Sequence, residues 1–148
     1  MSFRYLIPAL LLLLALPSVS FGDESIVVRV EAVPSQAVFD DASRSEPIEL
    51  SSAEAAAAYF SGEQLTALNE SVDWDTHSVL IFAWRGSGGD RMEAQVDADS
   101  PDEVRFVYTG GRTRDLRPHV YVYALEQGVV WEVASPDRKP HRDPGRGR

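Results

Sequence analysis

The 148-residue chain contains no cysteine, which excludes disulfides, thiolate metal ligands and a cysteine nucleophile together. Lysine is almost missing as well: Lys139 stands alone among fourteen basic residues. A phosphate loop of the G-x-x-x-x-G-K type therefore has no lysine to reach the phosphates. Histidine is limited to His77, His119 and His141, so a zinc site built on histidine would need all three to converge. No G-x-S-x-G elbow is present to activate a serine. No apolar run approaches the about 20 residues that a membrane-crossing helix requires. These absences remove most of the common routes to catalysis, and no catalytic, metal or cofactor residue is assigned.

What is present divides the chain in three. Arg4 precedes an apolar run at positions 6–16 (LIPALLLLLAL), which breaks at Pro17 and ends in Ser18, Val19, Ser20, Phe21 and Gly22. Small residues at Ser20 and Gly22 suit a signal-peptidase cut before Asp23. Residues 1–22 are thus expected to be a signal peptide, and the mature protein to be exported, periplasmic or extracellular. Residues 23–134 are expected to form a single domain. Residues 135–148 hold Pro136, Pro140 and Pro144 together with Arg138, Lys139, Arg142, Arg146 and Arg148, the composition of a disordered basic tail. The arginine-heavy basic set suits a GC-rich bacterial genome.

Charge is distributed unevenly between these parts. Residues 23–134 carry 21 acidic and 8 basic side chains, a net of −13. A body of that sign repels phosphate backbones, so nucleic acid is not expected as a partner.

Hydrophobic patterning predicts an α+β fold. Ile26, Val28 and Val30 alternate with Val27, Arg29 and Glu31, as in a strand. Residues 34–47 are polar and read as a loop, and Ile48-Glu49-Leu50 as a short strand or a helix entry. Ser51-Ser52-Ala53-Glu54 has the form of a capping box, and the alanine run after it predicts a helix to about Phe60. Ser61-Gly62-Glu63-Gln64 repeats the box before a stripe of Leu65, Leu68 and Val72, a second short helix.

Strand patterns fill the remainder. Residues 79–84 (VLIFAW) are continuously apolar, as in a strand covered on both faces. Met92, Ala94 and Val96 alternate, as do Val104, Phe106 and Tyr108. A turn is expected at Ser100-Pro101-Asp102-Glu103. Residues 119–125 and 129–133 complete the set, joined by a tight turn at Gln127-Gly128. The expected fold is a largely antiparallel sheet of about six strands, with two short helices inserted after the first. The pattern does not choose between a partial barrel and a sandwich.

Two segments concentrate functional chemistry. Residues 110–119 (GGRTRDLRPH) hold Arg112, Arg114 and Arg117 with His119, forked donors suited to carboxylate or phosphate oxygens. Residues 84–91 (WRGSGGDR) offer Arg85 with Gly86, Gly88 and Gly89, where missing side chains allow close backbone approach. Internal pairing of the arginines with the domain's own carboxylates is the competing reading. If the strands are suitably ordered, the two loops could meet at one end of the sheet. Tyr121 and Tyr123 would form an aromatic face if they point outward, opposite Val120 and Val122.

The stretch 72–133 resembles PrcB-like proteins, secreted accessory subunits of an extracellular protease complex. The resemblance rests on Val72-Asp73-Trp74, the apolar strand, the turn Gly86-Ser87-Gly88-Gly89 and the hairpins after it. A fainter similarity is to chagasin-type inhibitors of cysteine proteases, whose G-x-G-G loop Gly86-Ser87-Gly88-Gly89 looks like, and whose R-P-aromatic loop is matched by Arg117-Pro118-His119. The chain also looks like uncharacterised exported bacterial proteins with W-R-G-S-G and G-R-T-R-D-L-R sections. These resemblances imply an extracytoplasmic protein partner, such as a protease. The leading expectation is a non-enzymatic binding or accessory domain acting through the two loops. A hydrolase using His119 with a serine or carboxylate, and a protease inhibitor, are the alternatives.

Overall fold

A computed structural model describes residues 25–134; the expected signal peptide and basic tail lie outside the described residues. The architecture is α+β and strand-rich. In order the elements are β1 (Val27–Arg29), α1 (Val38–Asp41), β2 (Ile48–Leu50), α2 (Ala53–Ala56), α3 (Gly62–Ser71), β3 (His77–Gly86), β4 (Arg91–Asp97), β5 (Ser100–Thr109), β6 (Arg117–Glu126) and β7 (Val130–Ala134). They form a four-stranded sheet in the order β1-β6-β3-β2 and a three-stranded sheet in the order β4-β5-β7. The fold is thus a sandwich with helices on one outer face.

The apolar run of β3 explains the layering. Val79, Ile81 and Ala83 are fully buried in a cluster with Val38, Ala56, Phe60 and Leu68 from the helical side. The alternate residues Leu80, Phe82 and Trp84 point the other way, against Met92, Val104 and Phe106 of the second sheet. A strand with a period of two and apolar groups on both faces has to be covered twice. Helices supply one cover and the second sheet the other.

The packing settles some of these expectations and corrects others. Residues 34–47 contain helix α1, because Val38 is driven into the core and Phe39 packs beside it. Ile48–Leu50 is a strand at the edge of the first sheet, paired with β3. Ser52 caps α2 through its side chain, accepting from the Ala55 amide at 3.1 Å. Ser61 makes no equivalent bond at α3. Gln64, its expected capping partner, instead accepts from the Val33 amide at 2.8 Å, tying α3 to the chain after β1. The turn expected at residues 100–103 lies at Ala98-Asp99, where Asp97 accepts from the Asp99 amide at 2.9 Å. Pro101 fits in β5 because pairing with β7 begins only at Glu103, so its missing N–H breaks no bond on that side. Tyr121 and Tyr123 point between the two sheets, so they present no outward aromatic face; the Tyr123 hydroxyl donates to the Met92 carbonyl at 3.1 Å.

Strand β7 departs most from expectation. The turn at Gly128, where φ is +89°, does not fold β7 back onto β6. It carries the chain to the second sheet, where β7 runs parallel to β5. The reason is occupancy: β6 lies between β1 and β3, so both of its hydrogen-bonding edges are filled before β7 begins.

Candidate binding surface

Strands β3 and β6 pair along their whole lengths, from His77 opposite Glu126 to Gly86 opposite Arg117. In the second sheet Arg91, the first residue of β4, stands opposite Thr109, the last of β5. All four strand ends therefore meet at one end of the sandwich. The chain crosses there twice, through residues 87–90 from the first sheet to the second and through residues 110–116 back again. The two glycine-containing loops do meet.

They are also bonded to one another. Asp90, the one buried charged side chain among the described residues, is 5% exposed. One of its oxygens accepts from the Gly111 amide at 2.7 Å and the other from Trp84 Nε1 at 3.0 Å. Asp115 returns the contact, accepting from the Gly88 amide at 3.0 Å while pairing with Arg117. Ser87 Oγ lies 2.8 Å from Thr113 Oγ1 and accepts from the Thr113 amide at 3.1 Å. His119 Nε2 donates to the Ser87 carbonyl at 2.7 Å, and its ring stacks on Trp84 with centroids 5.1 Å apart.

The glycines serve this contact. None of Gly86, Gly88, Gly89, Gly110 and Gly111 has a positive φ, so turn geometry does not demand them. A Cβ on Gly111 would lie 2.5 Å from the Gly89 carbonyl carbon, and one on Gly88 would lie 2.6 Å from an Asp115 oxygen. At Gly111 it is the neighbouring backbone that excludes a side chain, and at Gly88 the Asp115 carboxylate.

Electrostatics follow the same bonds. Burial alone would raise the Asp90 carboxyl, but donors from Gly111, Trp84 and Tyr108 favour the charged form and hold it below the usual carboxylate range. Asp115 is lowered strongly, first by the Thr113 hydroxyl, then by the Gly88 amide and Arg117. Both carboxylates of the paired loops are thus ionised and satisfied internally.

The arginines divide by role. Arg117 pairs with Asp115, and the Arg85 guanidinium lies over the Phe39 ring at 4.9 Å. Arg44, from the loop between α1 and β2, covers the Tyr108 ring at 4.7 Å and donates to its hydroxyl at 3.2 Å. Arg112 and Arg114 are exposed and enter no ion pair among the described residues. Of the eight arginines in residues 23–134, six stand on or beside the paired loops: Arg44, Arg85, Arg91, Arg112, Arg114 and Arg117. Leu116, 74% exposed, lies between Asp115 and Arg117 in the chain.

Sequence reasoning selected the two loops and missed the residues that join them. Asp90 was visible only as the acid ending a glycine-rich run, and Arg44 as one charge in a segment read as a polar loop. His119 donates to a main-chain carbonyl and not to a serine hydroxyl or carboxylate. A cleft of about 450 Å³ opens at the far end of the second sheet, lined by Val96, Glu103, Val130 and Trp131, and another borders His77; His119 lines neither. Among the described residues, no helix is long and apolar enough to cross a membrane. No protein-family model matches the chain, and neither a curated protein nor a solved structure matches it.

Proposed function

We propose that the protein is an exported, non-enzymatic binding or accessory domain that contacts an extracytoplasmic protein partner through the two paired loops. One observation carries this reading: Arg112 and Arg114 are exposed and have no ion-pair partner among the described residues, on a base whose other polar groups are bonded to each other. Such a base resists rearrangement, so little ordering entropy is lost on docking. The position of His119, stacked on Trp84 and bonded to a carbonyl, supports an anchoring role for it over a hydrolytic one. The test is affinity purification with the tagged mature chain from its native envelope fraction, set beside the Arg112→Ala/Arg114→Ala double variant. The reading expects a retained protein to disappear from the double variant while the melting curve stays in place. Identical retained proteins from both would overturn it.

A second reading, protease inhibition, is favoured by the adjacency of Gly86-Ser87-Gly88-Gly89 and Arg117-Pro118-His119 at one end of the fold. Residual activity of papain-like and trypsin-like proteases, titrated with purified mature chain, decides it.

A further inference from the structure

The arrangement of charge around the paired loops carries more than a generic contact. Six of the eight arginines of a domain with net charge −13 are gathered at one end, and the two acids bonding the loops there, Asp90 and Asp115, are engaged by loop amides and by Arg117. The loops themselves, residues 85–91 and 110–117, hold Arg85, Arg91, Arg112, Arg114 and Arg117 against Asp90 and Asp115, a cap of local cationic excess on an anionic body, while exposed Asp40, Asp41 and Glu46 flank Arg44 and Phe39 beside it. Arg44 is already held in place by the Tyr108 ring and hydroxyl. A guanidinium held over an aromatic face by such contacts loses less freedom when an anion arrives.

Two further features narrow the ligand. An extended polyanion reaching past the cap would run along the acidic body and be repelled, which disfavours nucleic acid and long polyphosphate. Leu116, 74% exposed beside the arginines, gives an anion no benefit but would bury apolar surface against a neighbouring hydrophobic side chain. From these we infer that the cap formed by Arg44, Arg112, Arg114 and Leu116 receives a short acidic segment of a protein in which carboxylates flank an apolar residue. This rests on the partner-binding reading and specifies the chemistry of the partner.

The test uses the mature chain and a fluorescent ten-residue peptide with glutamates around a central leucine pair, followed by anisotropy at low and moderate salt. Binding should weaken as salt rises, because screening at 0.1 M acts over about 10 Å. Replacing the glutamates by glutamine should abolish binding. Arg112→Ala and Arg114→Ala should each weaken it by about fivefold, the scale of an exposed charge pair. Arg105→Ala removes an arginine whose pair with Glu132 at 2.7 Å lies away from the cap, and it should change nothing. Leu116→Ser should weaken the leucine peptide and leave an all-glutamate, glycine-centred peptide unaffected.

Equal binding of the glutamine peptide, or indifference to the Arg112 and Arg114 variants, would overturn the inference. So would tighter binding of short-chain polyphosphate than of the peptide, which would make the cap a phosphate site. If no peptide binds while capture of the native partner still depends on Arg112 and Arg114, the segment chemistry is wrong and the partner-binding reading stands. If that dependence is absent too, both fail.

Discussion

The carboxylate of Asp90 accepts the main-chain N–H of Gly111 across a gap of 2.7 Å, joining two connections that lie 21 residues apart in sequence. The same carboxylate accepts from Trp84 Nε1, so one side chain ties a core aromatic, its own loop and the neighbouring loop together. Asp90→Ala would leave a buried indole N–H and a loop amide without acceptors. Unsatisfied donors of this kind cost roughly 1–3 kcal/mol each, so urea unfolding should show a loss of about 2–6 kcal/mol. Amide exchange at Gly111 and Thr113 should rise in the same variant.

Acid should weaken this junction. Asp90 has a folded pKa below its unfolded value near 4, so it binds fewer protons folded than unfolded as pH falls. Its contribution is fully present above pH about 4 and is lost as pH drops through the lower, folded value. Asp115 acts in the same direction. Stability measured from pH 7 to pH 2 should therefore fall less steeply for Asp90→Asn than for the wild type.

Steric exclusion at the loop contact is separable from its hydrogen bonds. Gly111→Ala places a methyl group against the Gly89 backbone, and neither strand end can retreat easily. Overpacking of this sort costs about 1–3 kcal/mol, read as a drop in melting temperature. Gly110→Ala meets only the Tyr108 side chain, at 3.4 Å, and should be tolerated.

The exposed arginines should behave oppositely. Arg112→Ala and Arg114→Ala should each alter unfolding free energy by less than about 0.5 kcal/mol and yet reduce partner capture. Arg117→Ala removes an exposed pair with Asp115, and the unfolding curve should shift little.

Alkaline titration reports on the layer between the sheets. Burial pushes the Tyr123 phenol up to about 12. A phenol raised in the folded state contributes stability present below its unfolded value near 10 and lost as pH rises toward 12. The phenolate absorbance of Tyr123, identified by difference with Tyr123→Phe, should appear near pH 12 in the folded protein, well above the pH at which the unfolded chain's phenols ionise.

The periodicity of β3 made the two-sided core legible, because six consecutive apolar residues can be satisfied only by covers on both faces. Leu68 likewise declared the buried side of α3, and Val72 its buried C-cap. The sheet partition was not legible: nothing in residues 129–133 distinguishes a strand returning to β6 from one that crosses to β5. That choice depends on β1, about a hundred positions earlier, having taken the free edge of β6. At the site, Arg112 and Arg114 were readable from local composition. Asp90 was not, since its burial also depends on Gly111, 21 residues further on and outside the segment that holds Asp90 and Trp84. Arg44 was hidden for the same reason, its partner Tyr108 being 64 residues away.

The place of β6 also bears on how the chain acquires its shape. β3 bears the most apolar surface, yet the strand that pairs along its full length emerges only after β4 and β5, and β1 has to wait longer still. A chain growing from its N-terminus therefore holds that sticky segment half-covered through much of its synthesis. Non-local pairing of this kind slows folding and leaves time for aggregation, so the step most vulnerable to error is the interval before residues 117–126 arrive.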